Sequence, residues 1–156
     1  MSASQPWAPP RSAMSVNFPA LLNRLVAQHG LADLGPESFD AFAQAPGEAV
    51  VLLVEDPERG GENWDLAVIF CDLLAASGSG QRTGLLRPPA AAALQPQFGI
   101  QRLPALLFLR DGDYVGALEG LRDWSEFVAA CREMRQRPIS RAPGRVIAVA
   151  SSPSCH

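Results

Sequence analysis

The stretch from Phe98 to Gly120, FGIQRLPALLFLRDGDYVGALEG, constrains this chain more than any other. Two apolar, strand-like runs, Ala105 to Arg110 and Tyr114 to Leu118, are separated only by Asp111-Gly112-Asp113. An Asp-Gly pair supplies the positive-φ positions of a tight turn, so the spacing predicts an antiparallel hairpin. Upstream, Val50 to Val54 (VVLLV) is an aliphatic run with no polar alternation. Such a run fits a central strand covered on both faces better than a half-exposed one.

The covering layers are legible as helices. Phe18, Leu21, Leu22, Leu25 and Val26 share one helical face, which should end near Gly30, and Ser38 to Ala43 suggests a short second turn. After the polar loop EDPERGGENWD, the residues Leu66, Ile69, Phe70, Leu73 and Leu74 repeat at i, i+3, i+4, i+7 and i+8, with Asn63 or Glu62 as a candidate cap. A strand is expected around Arg82 to Arg87 and a brief helix over Ala90 to Leu94. Asp123 should cap a last helix, with Glu126 three residues on as in a capping box and an apolar stripe of Phe127, Val128, Cys131 and Met134.

The element order is helix, strand, helix, strand, helix, hairpin, helix, which predicts an α/β domain: a central mixed β-sheet flanked by helices on both faces. The chain of 156 residues suits one core. Boundaries are read as a flexible leader over 1–16, a domain over 17–137 and a flexible tail over 138–156, with one apolar island, RVIAVA, in the tail. A net charge of −3 argues against nucleic acid, which requires clustered cations. No apolar run approaches the ~20 residues that span a bilayer, so no membrane insertion is expected. The first residues carry no basic segment followed by an apolar one, so the expected location is the cytoplasm.

Phe98-Gly99-Ile100, Leu103-Pro104, ALLFLR, DGD, YVGAL and Gly120 resemble the C-terminal half of thioredoxin-fold proteins, element by element. That resemblance implies a thioredoxin-like fold with a cis bond before Pro104, facing the loop that follows the central strand. The acidic loop EDPERGGENWDLAVI, the missing Cys-x-x-Cys, RDGDYVG and GLRDWSEF together resemble the HyaE/HupG family of hydrogenase expression proteins, over roughly Phe18 to Gln136. This second resemblance implies an assembly chaperone for a [NiFe] uptake hydrogenase. It would bind the small subunit and its twin-arginine signal peptide before export, alongside other hydrogenase accessory proteins.

A thioredoxin thiolate is stabilised at the N-terminus of the helix after the central strand. Here that place, Pro57 to Asn63, has no cysteine. Cys71 lies about two turns further on, beside Asp72, and Cys131 lies on the apolar stripe of the last helix; both read as small hydrophobes. The loop instead carries Glu55, Asp56, Glu58, Glu62 and Asp65 against Arg59. Carboxylates on a loop can take a guanidinium through oriented, charge-assisted bonds, and a bland solvated loop is the alternative. Trp64, Leu103 and Pro104 would supply an apolar rim, although for Trp64 a place tucked into the core is preferred. Asp123-Trp124 fits the family pattern, with ordinary helix capping preferred. His29 and His156 are too far apart to suggest a metal or hydrolytic centre, so neither cofactor nor catalysis is expected. Two other functions remain open on the residues: a monothiol thioredoxin-like oxidoreductase using Cys71, and a purely structural thioredoxin-fold module within a larger complex.

Overall fold

The computed structural model describes residues 11–78 and 80–143. Their order is α1 (Arg11–His29), β1 (Ala32–Leu34), α2 (Phe39–Gln44), β2 (Glu48–Leu53), a 3-10 turn (Pro57–Arg59), α3 (Glu62–Ser77), β3 (Arg82–Leu86), α4 (Ala90–Phe98), β4 (Ala105–Arg110), β5 (Asp113–Glu119) and α5 (Trp124–Gln136). The five strands form one sheet of order β1-β3-β2-β4-β5. β3 runs parallel to both β1 and β2, while β4 is antiparallel to β2 and β5 to β4. This is the mixed, thioredoxin-like sheet expected from the sequence, with β2 at its centre.

Strand side chains alternate between two covered faces, which is why the central run shows no polar alternation. Val50, Leu52, Leu106 and Phe108 join Phe18, Leu22, Phe70, Leu73 and Phe127 in a core beneath α1, α3 and α5. Ala49, Val51, Leu53, Leu107 and Leu109 face the other way, onto Phe39, Ala91 and Phe98 of α2 and α4. The hairpin turns at Asp111 and Gly112, both with positive φ, and Asp111 Oδ1 accepts the Gly47 N–H at 2.7 Å, tying the turn to the approach of β2. The Leu103–Pro104 bond is cis, as the resemblance implied, and so is Pro88–Pro89.

Several local expectations are corrected. β1 is a strand of three residues that carries too little pattern to be read in advance. α1 begins at Arg11, inside the segment assigned to the leader, and accommodates Pro19. α4 continues past Leu94 to Phe98 before Gly99 closes it in the left-handed conformation. Asp123 stands at the N-cap of α5, but its side chain makes no capping hydrogen bond. Gly61, not Asn63 or Glu62, holds the N-cap of α3. Just after α5 the chain returns to the sheet edge: the Ser140 N–H donates to the Tyr114 carbonyl at 2.7 Å, and Ala142 is buried against α2 and α4. The RVIAVA island, Cys155 and His156 lie outside the described residues.

Candidate functional site

Sheet register sets the site. Leu53 at the end of β2 pairs with Ala105 at the start of β4, which pairs with Glu119 at the end of β5. The loop after β2, the Leu103–Pro104 bend before β4 and the turn before α5 therefore share one end of the sheet.

The loop after β2 is held from inside by Asn63, a fully buried side chain. Its Oδ1 accepts the Glu55 N–H at 2.9 Å and its Nδ2 donates to the Gly60 carbonyl at 3.0 Å, closing the loop onto the first turn of α3. A buried amide that satisfies two backbone groups in this way fixes a conformation that the backbone could not hold alone. The sequence signal for this role was faint, because an Asn two residues after a Gly-Gly pair looks like a cap. Asp56 caps the 3-10 turn, its Oδ1 accepting the Glu58 N–H at 2.9 Å, and Pro57 is buried beneath. Glu58, Glu62 and Asp65 are exposed; Glu55 and Asp56 are half-buried.

Across from this loop, both carboxylate oxygens of Glu119 accept backbone N–H groups, from Gln101 and Arg102, each at 3.2 Å. The Gly120 N–H donates to the Pro104 carbonyl at 2.8 Å. These bonds present Arg102, whose guanidinium lies over Gly120, where a Cβ would collide with it, and reaches Glu62 at 3.7 Å. An ion pair so open to solvent contributes roughly 0–1 kcal/mol, so it bridges the two loops without locking them.

Of the expected apolar rim, Leu103 and Pro104 are buried, Leu103 in the core under α2 and α4. Trp64 is half-buried on the opposite face of the sheet, its ring 6.2 Å from that of Phe18. The structure thus brings the eight candidate residues to one end of the sheet, but the apolar three face largely inward.

The charge is concentrated here. Of the 16 carboxylates among the described residues, eight (Glu55, Asp56, Glu58, Glu62, Asp65, Glu119, Asp123 and Glu126) belong to this end, against three of the 12 described arginines, Arg59, Arg102 and Arg122. That end carries −5 and the other described residues, with eight acids and nine bases, carry +1. All 13 bases are arginines.

The thiols stand elsewhere. Cys71 is half-buried in a cleft of about 260 Å³ shared with His29, Leu31, Gln81 and Thr83, and burial, then Asp72, pushes its pKa up. Burial raises Cys131 to about 11, with Arg122 opposing. Both shifts work against the thiolate that exchange chemistry needs. Among the described residues, no helix is long and apolar enough to cross a membrane, and no group of three or more His, Cys, Asp or Glu is placed to hold a metal ion.

Residues 21–127 match the family described as hydrogenase-1 expression protein HyaE. The chain is 37% identical over 143 residues to the hydrogenase expression/formation protein HoxO of Cupriavidus necator, covering 88% of this chain and 89% of that one. It is 31% identical over 128 residues to the hydrogenase expression/formation protein HupG of Bradyrhizobium diazoefficiens, covering 80% and 86%. A thioredoxin-like sheet with a carboxylate-rich loop after its central strand thus coincides with similarity to these proteins over most of the chain, and the chain belongs to the HyaE family of hydrogenase expression proteins.

Proposed function

We propose that this protein is a redox-inactive chaperone of [NiFe] hydrogenase assembly, acting in the cytoplasm. It holds the hydrogenase small subunit by its twin-arginine signal peptide before export, in company with other accessory proteins. Family membership supports the hydrogenase accessory role. The observation that carries the finer reading is the loop after β2: Glu55, Asp56, Glu58, Glu62 and Asp65 occupy the corner that a thiol would need, on a backbone pinned by Asn63. A guanidinium pair offers planar donors that carboxylates accept bidentately, and a field of one sign raises the rate of encounter with it. Trp64, Leu103 and Pro104 complete the partner-binding set at this end of the sheet as its largely inward-facing apolar members.

The test is calorimetry of the full chain with a signal peptide bearing two adjacent arginines, at several salt concentrations. Replacing the five loop acids by their amides should weaken binding and flatten its salt dependence while the melting midpoint is kept. Unchanged affinity removes the electrostatic recognition, and absence of binding to the wild-type protein removes the signal-peptide reading.

A further inference from the structure

The buried stripe of α5, formed by Phe127, Val128, Cys131 and Met134, continues at helical spacing to Trp124, three and four residues before its first two members. A tryptophan on that face belongs under cover, yet Trp124 is 46% exposed while Phe127, one turn along, is 0%. Position explains the contrast. β5 ends at Glu119, and the chain crosses four residues before α5 starts, so the first turn of the helix overhangs the core. The overhang lies at the end of the sheet where the carboxylates gather and where Arg102 reaches Glu62. With Leu103 and Pro104 buried and Trp64 half-buried, Trp124 is the exposed aromatic side chain at this end among the described residues. Helix capping does not account for the Asp-Trp pair, because the Asp123 side chain makes no capping bond.

We propose that Trp124 is the apolar anchor of the partner-binding surface. It receives the apolar residues of a bound segment whose arginines meet the surrounding carboxylates. This rests on the function proposed above and adds the side chain that supplies desolvated contact. The occupant is a cationic segment continuing into an apolar run, chosen by charge complementarity with an end that carries −5. Carboxylates steer such a segment and set its register, but a tryptophan that excludes water is the kind of residue on which its retention depends.

The probe is a synthetic peptide with two adjacent arginines followed by an apolar run, titrated into the full chain. Trp124→Ala should weaken binding about tenfold or more, the size expected of an aromatic anchor, and leave the salt slope in place. Trp124→Phe should restore most of the affinity but lose the blue shift of tryptophan emission that the peptide induces in the wild type. Equal binding by wild type and Trp124→Ala, or a blue shift that persists in Trp124→Phe, overturns the anchor and leaves the signal-peptide reading standing. A change in sedimentation on Trp124→Ala with peptide affinity intact assigns the side chain to self-association and also overturns the proposal. No binding to the wild type at any salt concentration brings down the function and the anchor together.

Discussion

At the scale of single residues, Asn63 explains how a loop containing two adjacent glycines holds one shape. Glycines cost the most backbone entropy to order, and two partly buried hydrogen bonds from one amide offset part of that cost. Asn63→Ala leaves the Glu55 N–H without its partner and the Gly60 carbonyl with only the backbone N–H of residue 63, so it should destabilise the domain by roughly 1–3 kcal/mol in urea unfolding. Any peptide affinity should fall with it, because the loop acids lose their common frame. The cysteines give a second prediction. A thiol whose pKa is raised carries less thiolate at neutral pH than a free thiol, so Cys71 and Cys131 should both alkylate more slowly than a model thiol at pH 7. The rate at Cys71 should climb as the pH passes the ordinary thiol range, whereas Cys131, 1% exposed and raised to about 11, should react only on unfolding. Mass spectrometry after timed alkylation separates the two, and fast labelling of Cys71 at neutral pH would revive a thiol enzyme.

At the scale of elements, arginines close the ends of helices that their own sequences leave open. Arg82 on β3 donates to the carbonyls of Phe42 and Ala45 at 2.6 and 2.9 Å as α2 ends, and its guanidinium lies 4.7 Å from the centre of the Phe42 ring. Arg110 on β4 donates to the carbonyls of Arg135 and Arg137 at 2.9 and 2.6 Å, and Arg132 donates to Ala76 of α3 at 3.0 Å. The terminal carbonyls of a helix carry partial negative charge, and a planar fork of donors matches two of them where an ammonium reaches one. Arg82→Lys should therefore not be conservative: it should cost about 1–3 kcal/mol of stability, close to Arg82→Met, in chemical denaturation. These long-range caps mark where sequence reading stops. Periodicity revealed α3, α5, the hairpin and the central strand, because each carries a stripe or a turn residue that acts locally. It could not reveal β1, whose three residues are a strand only because β3 lies beside them. Nor could it assign Asn63, whose partners are chosen by loop closure. The acidic loop itself was legible as composition, whereas the inward turn of Leu103 and the overhang of Trp124 depend on where the sheet ends.

At the scale of the whole molecule, the separation of charge divides two quantities that an affinity alone would merge. A face of −5 set against +1 on the other described residues attracts a cationic segment from beyond contact distance, and that attraction acts on the association rate. Contact with an exposed aromatic side chain acts after encounter, on the dissociation rate, which is where most differences among variants of one interface appear. Stopped-flow mixing with the diarginine peptide should therefore sort the variants into two classes. Amide substitution of Glu55, Asp56, Glu58, Glu62 and Asp65 should lower the association rate by about an order of magnitude or more at low salt and abolish most of its salt dependence, because the Debye length of ~10 Å at 0.1 M already screens the field. Trp124→Ala should leave the association rate within about a factor of two and accelerate dissociation. Substituting Arg132, on the far half of α5 and committed to the Ala76 carbonyl, should change neither rate by much while lowering stability. If the acid and tryptophan variants instead change the same rate constant in the same proportion, steering and anchoring are not separate functions of this surface, and the charge segregation serves solubility alone.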